Sequence, residues 1–517
     1  MLQSILVGLI SVIGLCDYLT GTSMIQRPVV LGALVGLVYG DLPTGVIMGS
    51  SIELIFMGQM SIGGAVPVVT LAGCVAVAIA MQSGAGLEAA LALAVPFGVL
   101  YSMLDNLHYI LVQVFVSGMD KAAKEGDYKK YERYHWCAFG LWSLLYFVST
   151  VICVNLGSTL VENFFNSLPA WLMDGISAGT KLLPALGFAI LLNSIWNKKI
   201  AAFFFIGFVL AAYLGLDTIA IAILGASVAV LYFTLGSTEL PDFSAPADSK
   251  PMLTKKEINN MFWRAFTLEA SYNYEKFQGT GFGYALIPAL RKIYGDDKEA
   301  LAEAMSRNCV MFQTTPQCAP INMGITLAME EEYSRNRDTM DPASIGAVRS
   351  AFMGPLAGIG DSIFWGILRT VAAGVACSLG VQGNVAAPLV FLIIFNVPAV
   401  FTRYYGAHKS YELGMNFVSK LSQYNLLENL SIAAGIVGLM VIGGMTSSMV
   451  WVSTPLVITA GDMAISVQEF LDSLLPSMVP LLTVYIMSKL LKKNIKPVVL
   501  MISALVVGVL LTYIGVL

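Results

Sequence analysis

The chain has 517 residues, a formal net charge of −4 and a mean hydropathy of +0.75, with 57% hydrophobic and 12% charged residues. An ordinary soluble domain carries about 25% charged residues, so this balance excludes a soluble globular protein and a binder of nucleic acid through a basic surface. It points to a multi-pass integral membrane protein.

In chain order, the run Met1 to Leu15 lacks a basic leader region and a small-residue cleavage site, and reads as the first element of the mature protein. The stretch "GDLPTGVIMGSSIELIFMGQMSIGGAVP", 40 to 67, is apolar but broken by glycine and proline, with Asp41 and Glu53 embedded in it. "DKAAKEGDYKKYERYH", 120 to 135, predicts an amphipathic helical hairpin on the cytoplasmic side, where His135 is expected to be solvated. Ile200 to Phe233 is long enough to span a core that needs about 20 apolar residues per helix. Basic clusters at Lys121 to Arg133, Lys198 with Lys199, Lys250 to Lys256 and Lys489 to Lys496 are placed on the cytoplasmic side.

Hydrophobic periodicity stops at "GSTELPDFSAPADSKPMLTKKE", where Pro, Ser, Asp and Lys take over. The expected organisation is a membrane domain over 1–235, a cytoplasmic linker over 236–256 and a second domain over 257–517. Within the second, 257–341 reads as amphipathic helices, with Thr254 and Glu257 at capping-box spacing. Apolar runs resume beyond 342, with spans expected near 386–401, 430–446, 474–490 and 497–515, and a charge-poor external loop over Val452 to Gln468. The fold class is thus an all-α polytopic membrane protein, with two membrane domains, re-entrant broken hairpins and amphipathic cytoplasmic helices.

Three acids stand in or beside apolar segments: Asp41, Glu53 and Asp361, the last within "MGPLAGIGDSIFWGILR". An ionised side chain at a helix centre costs about 2.5 to 3.5 kcal/mol on insertion scales, so such residues face a cavity or a partner and mark a pathway. Adjacent glycines and prolines favour re-entrant helices, which survive at membrane depth only when buried in protein or lining water. The competing reading is that each acid caps a turn or sits at a helix end. "MFQTTPQCAPINMG", 311 to 324, sets Gln313 and Thr315 among uncharged amides and hydroxyls, which suit a neutral sugar because its hydroxyls both donate and accept; a helix-breaking surface loop explains them equally. The cysteines show no metal-ligand spacing, and no catalytic constellation, nucleotide loop or cofactor motif is present, so no metal, cofactor or enzyme activity is expected of this chain.

Two sets of residues carry a resemblance. "QRPVVLGALVGLVYGDLPTGVIMGSSIELIFMGQMSIGGAVP" resembles the membrane subunit IIC of mannose/fructose/sorbose-type phosphoenolpyruvate-dependent sugar phosphotransferase systems (PTS). "FWRAFTLEASYNYEKFQGTGFGYALIPALRKIYGDDKEALAEA", "FQTTPQCAPINMGITLAMEEE", "MGPLAGIGDSIFWG" and "RYYGAHKSYELG" resemble the IID subunit. The chain therefore resembles a IIC–IID fusion. The resemblance implies a permease (EIIC and EIID) that moves a hexose or hexose derivative by group translocation, with phosphorylation by IIA and IIB partner subunits. It also implies a homotrimer in membrane lipid and, in some members, service as a bacteriocin receptor. The sequence departs from the family at "VPVV", at Ser61, at "QTTP" and at Ser362, which bears on the identity of the sugar more than on the family. The residues expected to contact sugar are Glu53, Gln59, Ser61, Gln313, Thr315 and Asp361, with Asp17, Gln26, Asp41 and Asn273 behind them. The rival functions are an ion-coupled secondary sugar transporter and a bacteriocin receptor without transport.

Overall fold

A computed structural model describes the chain except residues 57–68, 85, 168–174, 176–177, 179–181, 183–184, 187, 190–191, 194–195, 217, 236–250, 425, 451, 461–462, 494, 496, 515 and 517. Gln59, Ser61 and most of the expected linker lie outside the described residues.

Apolar composition and length together make four described helices able to cross a membrane: Leu2–Leu19, Pro96–Lys124, Tyr128–Gly157 and Ala387–Gly414. The helices Val467–Leu474 and Met478–Lys492 form a further pair bent by 81°. Other apolar helices, among them Pro28–Tyr39, Gly73–Ser83 and Ala202–Ala212, are too short to cross alone. Their ends must be satisfied by protein, which is why they pack inside the bundle. Pro28–Tyr39 and Leu42–Phe56 have 12 and 15 residues, or about 18 and 22 Å at 1.5 Å per residue. They fold back on each other through Gly40, and Asp41 caps the second of them by accepting from Thr44 N at 3.1 Å and Thr44 Oγ1 at 2.6 Å.

Ile200 to Phe233 is not one span. A turn at Tyr213 to Gly215 divides it into Ala202–Ala212 and Thr218–Leu235. Both pieces pack along Leu426–Met449, and two short helices can both reach one partner where a single straight rod could not. Conversely, the run expected near 386–401 belongs to one helix of 38 residues, Ala387–Tyr424, against which Ala319–Arg335 packs closely around Gly406 to Gly414. The expected loop at Val452 to Gln468 holds a two-stranded antiparallel hairpin, Val457–Ala460 with Met463–Ser466.

The polar region after the linker builds its own core. The helices Lys255–Arg264, Gly279–Tyr294, Lys298–Asn308 and Ala319–Arg335 bury Phe262, Leu286, Leu290, Met305, Phe312 and Leu327 together. Two acids of "AMEEE" enter that core because each is fully bonded. Glu330 accepts from Arg307 Nε (2.8 Å), Tyr294 OH (2.6 Å) and Asn308 Nδ2 (2.5 Å). Glu331 accepts from Tyr411 OH (2.5 Å), Arg335 Nη2 (2.6 Å) and Met252 N (2.7 Å). The region opens on the expected capping box: Lys256 N donates to Thr254 Oγ1 at 3.2 Å, and Thr254 N donates to Glu257 Oε2 at 2.8 Å. The bond from the Thr254 hydroxyl holds the Glu257 carboxyl below its ordinary range. Thr254→Ala is expected to cost about 1 kcal/mol of stability, read as a lowered thermal midpoint of the purified protein; an unchanged midpoint would show that the cap is idle.

The helical hairpin predicted around 120–135 is present as Gln113–Lys124 followed by Tyr128 onward, but His135 is not solvated. It is fully buried, its ring stacked on Tyr284 at 4.1 Å and its Nδ1 2.8 Å from Ser271 Oγ. The amphipathic pattern marks which face is apolar, but the second half of the chain covers the polar face at this point. All seven cysteines are free thiols, and five of them are buried.

Candidate functional site

The helix Leu2–Leu15 ends in a tight turn, Cys16–Leu19, and the chain then crosses the protein interior as an irregular loop to Arg27. Thr22 and Met24 take positive φ, at 57° and 71°. For residues with side chains such a conformation costs on the order of 1 to 3 kcal/mol each and persists only when the surroundings over-determine it.

What over-determines it is polar and comes from both halves of the chain. From its own side, Asp17 accepts from Ile25 N (2.9 Å), Gln26 Nε2 (3.0 Å) and Ser23 Oγ (3.3 Å). From the second half, Arg403 Nη2 donates to Gly21 O at 2.6 Å, Asn396 Nδ2 to Ser23 O at 2.8 Å and Gln317 Nε2 to Thr22 O at 3.3 Å. Gly21 N donates to Phe266 O at 2.9 Å, and Thr22 Oγ1 to Glu269 Oε2 at 2.7 Å. Irregular backbone at this depth is tolerated where protein takes up its hydrogen bonds, and here the partner domain does so.

The bonds continue away from the loop. Gln278 Nε2 lies 3.0 Å from Glu269 Oε1 and 2.9 Å from Thr314 O, while Thr314 N donates to Gln278 Oε1 at 3.0 Å. Beside it, Thr315 Oγ1 donates to Asp361 Oδ1 at 2.6 Å. Asp361 was expected in a glycine-broken segment, but the helix does not break there. Ala343–Gly360 passes into a π-helical turn, Asp361–Leu368, and continues as Arg369–Gly380. π-turns inside helices occur frequently at functional sites. Gly360 is needed for close approach: a Cβ on it would lie 2.4 Å from Thr315 Oγ1, so any side chain would push Thr315 away from Asp361.

Of the residues expected to contact sugar, two pairs are brought into direct contact, Thr315 with Asp361 and Asp17 with Gln26. Gln313 is partly buried, and its Oε1 has no hydrogen-bond partner among the described residues. Glu53 is fully buried in an ion pair with Arg27, whose Nε donates to its Oε1 at 2.8 Å. The pair ties the end of the loop to the re-entrant hairpin. Asp41 stands exposed at the other end of that hairpin, in the capping role described above. Asn273 is buried in a local turn, with its Oδ1 accepting from Glu275 N (3.1 Å) and Lys276 N (2.8 Å).

The expected contacts leave out Glu269, Gln278, Gln317 and Arg403, although Gln317 lies in the amide-rich stretch 311–324. Arg403 had a readable signal, an arginine inside an apolar helix-length run, which is the same intramembrane-charge argument that found Asp361. Glu269 and Gln278 had none, because their stretch reads as an amphipathic helix.

Comparison with known proteins agrees with this two-part architecture. Residues 1–231 match the family described as PTS system sorbose-specific IIC component, and residues 252–517 match the PTS system mannose/fructose/sorbose family IID component. The chain is 34% identical over 263 residues to the mannose-specific EIID component of Escherichia coli (strain K12), covering 50% of this chain and 92% of that one. It is 35% identical over 269 residues to the fructose permease IID component of Bacillus subtilis (strain 168), covering 51% and 97%. In its other half it is 30% identical over 230 residues to N-acetylgalactosamine permease IIC component 1 of Escherichia coli (strain K12), covering 44% and 86%. Among solved structures, a chain of the cryo-EM complex of mannose transporter ManYZ with microcin E492 is 34% identical, with a TM-score of 0.49 over 51% of this chain and 98% of that one. The chain therefore belongs to the mannose/fructose/sorbose family of sugar phosphotransferase permeases, and carries a IIC and a IID component in a single integral membrane polypeptide.

Proposed function

We propose that a hexose or hexose derivative binds where the loop Thr20 to Arg27 meets the polar residues of the IID half, with Asp17, Gln26, Gln313, Thr315 and Asp361 as contacts, and that IIA and IIB partner subunits phosphorylate it. The observation that carries this reading is the convergence of amides, hydroxyls and carboxylates from both components on one strained, buried loop, which bonds through Glu269 and Gln278 link to Thr314, the chain neighbour of the Thr315–Asp361 pair. Such groups match sugar hydroxyls, which donate and accept at once. Glu53 would act from behind, holding the hairpin through Arg27. In this reading the fused chain assembles as a homotrimer, as the family resemblance implies.

The test is uptake in cells lacking other sugar systems, with this chain and IIA and IIB partners expressed and labelled hexoses supplied singly. Phosphorylated sugar inside the cell, dependent on the general phosphocarrier, is the expected product. Thr315→Val removes a hydrogen bond to a carboxylate worth about 1.5 to 3 kcal/mol, so uptake is expected to fall about 10- to 100-fold while the protein still inserts. Free sugar accumulating without the phosphocarrier would replace this reading with an ion-coupled carrier.

A further inference from the structure

The hairpin made by Gln113–Lys124 and the start of Tyr128–Ser167 has two faces that meet different surroundings. Met119, Ala122, Ala123 and Tyr131 are buried in the core of the IID half, where Tyr131 OH donates to Thr280 O at 2.7 Å. The other face carries Lys129, Lys130, Arg133 and Tyr134, which with Asp127 line an open cavity of about 340 Å³. Asp127 serves the helix start, its Oδ1 accepting from Lys130 N at 3.0 Å. Lys130 lies 3.5 Å from Glu125, whereas Lys129 and Arg133 are exposed and in no ion pair among the described residues.

The same helix continues from this cavity into the membrane. Along the span Tyr128–Gly157, Trp136, Leu144, Val148, Ile152 and Leu156 recur at about one turn or two and are all exposed, so this face meets lipid. Trp136 and Leu156 stand 20 positions apart, about 30 Å at 1.5 Å per residue, which is the thickness of a hydrocarbon core. Tryptophan favours the headgroup boundary. Arg133 and Lys129 lie one and two turns beyond it, among headgroups, on the side that the positive-inside rule makes cytoplasmic.

We propose that the cavity holds the phosphate of an anionic phospholipid, with Lys129, Lys130 and Arg133 as its cations, Tyr134 OH as a further donor and the acyl chains lying along the face from Trp136 to Leu156. Phosphate oxygens accept charge-assisted bonds from a guanidinium fork and from ammonium groups. A zwitterionic headgroup brings its own cation against these three and is disfavoured. A soluble anion or a partner protein could meet the charges, but neither would use the apolar track that continues from them. That continuity assigns the cavity to lipid, in agreement with the way basic pockets beside membrane helices bind acidic headgroups.

The experiment is phospholipid retention. The full chain is reconstituted in vesicles of equal phosphatidylglycerol and phosphatidylcholine with the same acyl chains, extracted in detergent, washed, and its retained lipid counted by mass spectrometry. Phosphatidylglycerol is expected to be enriched about tenfold or more, at about fivefold per cation near a headgroup. Lys129→Gln combined with Arg133→Gln, both at exposed positions, is expected to bring the two lipids to within about twofold of each other. Lys255→Gln combined with Lys256→Gln removes the same charge outside the cavity and should leave the enrichment intact. A wash in excess inorganic phosphate is also expected to leave it intact, because phosphate has no chains to engage the apolar face. Equal retention of both lipids by the native chain, or equal loss in the two double variants, would overturn the inference. Displacement by phosphate would overturn it in favour of a soluble anion. Unchanged enrichment in the Lys129 and Arg133 variant with loss of phosphorylating uptake would overturn it in favour of a partner subunit.

Discussion

Arg27→Met in an otherwise native chain is expected to remove most folded protein from the membrane, whereas Arg27→Met combined with Glu53→Met recovers it. Both members of the pair are buried, with side-chain exposures of 5% and 0%. Removing one partner leaves the other charge uncompensated, which costs about 3 to 5 kcal/mol, while replacing both by apolar groups of similar volume is often neutral. Glu53 Oε2 has no described partner, so the carboxylate relies heavily on Arg27. The measurement is the amount and thermal midpoint of monodisperse protein by detergent size-exclusion chromatography. A single variant as stable as the native chain would remove the pair from the account of the fold. Glu53→Gln keeps the shape and an acceptor for Arg27. It is therefore expected to insert with a lowered thermal midpoint, since the Arg27 charge loses its carboxylate, and to take up less sugar, because a weaker hold on Arg27 loosens the end of the loop Thr20 to Arg27.

Gly45→Val is expected to be as damaging for a steric reason. The helices Pro28–Tyr39 and Leu42–Phe56 are in backbone contact: a Cβ on Gly45 would lie 2.4 Å from Gly32 O, and one on Gly49 would lie 2.4 Å from Pro28 O. Small residues four apart let membrane helices approach this closely, and the opposing atoms here are backbone, which cannot swing aside as a flexible side chain would. Overpacking of this kind costs about 1 to 3 kcal/mol or more, and here it also splays the hairpin that positions Glu53. Gly140→Ala is the matched control, since a Cβ there meets nothing within 4 Å, and a change within about 0.5 kcal/mol is expected. Equal thermal midpoints for the two variants would show that the close approach is not needed.

The features readable from residues alone were those with a local cause. Apolar runs predict spans because each helix satisfies its own backbone. The capping box at Thr254 and Glu257 is a spacing of three, and the hairpin at 120–135 is a change of charge pattern; both lie within one or two turns of chain. An acid in an apolar segment announces a partner, which led to Asp361 and Glu53, but it does not name that partner. The length rule read Ile200 to Phe233 as one span, but the run is two helices, because packing against Leu426–Met449 decides where it turns. Charge pattern misjudged His135 because the surface that buries it comes from residues more than a hundred positions away.

By itself, then, the sequence determined a helical membrane protein in two parts, its family, and the residue types from which a sugar site could be made. Only the tertiary structure decided that Asp17 and its loop are gripped by the other component, through Asn396 to Ser23 across 373 positions and Arg403 to Gly21 across 382. Hydrogen bonds at such separations leave no period or spacing in the chain. They form because the loop's buried backbone groups must find partners, and the only groups at hand are those that folding of both halves brings together.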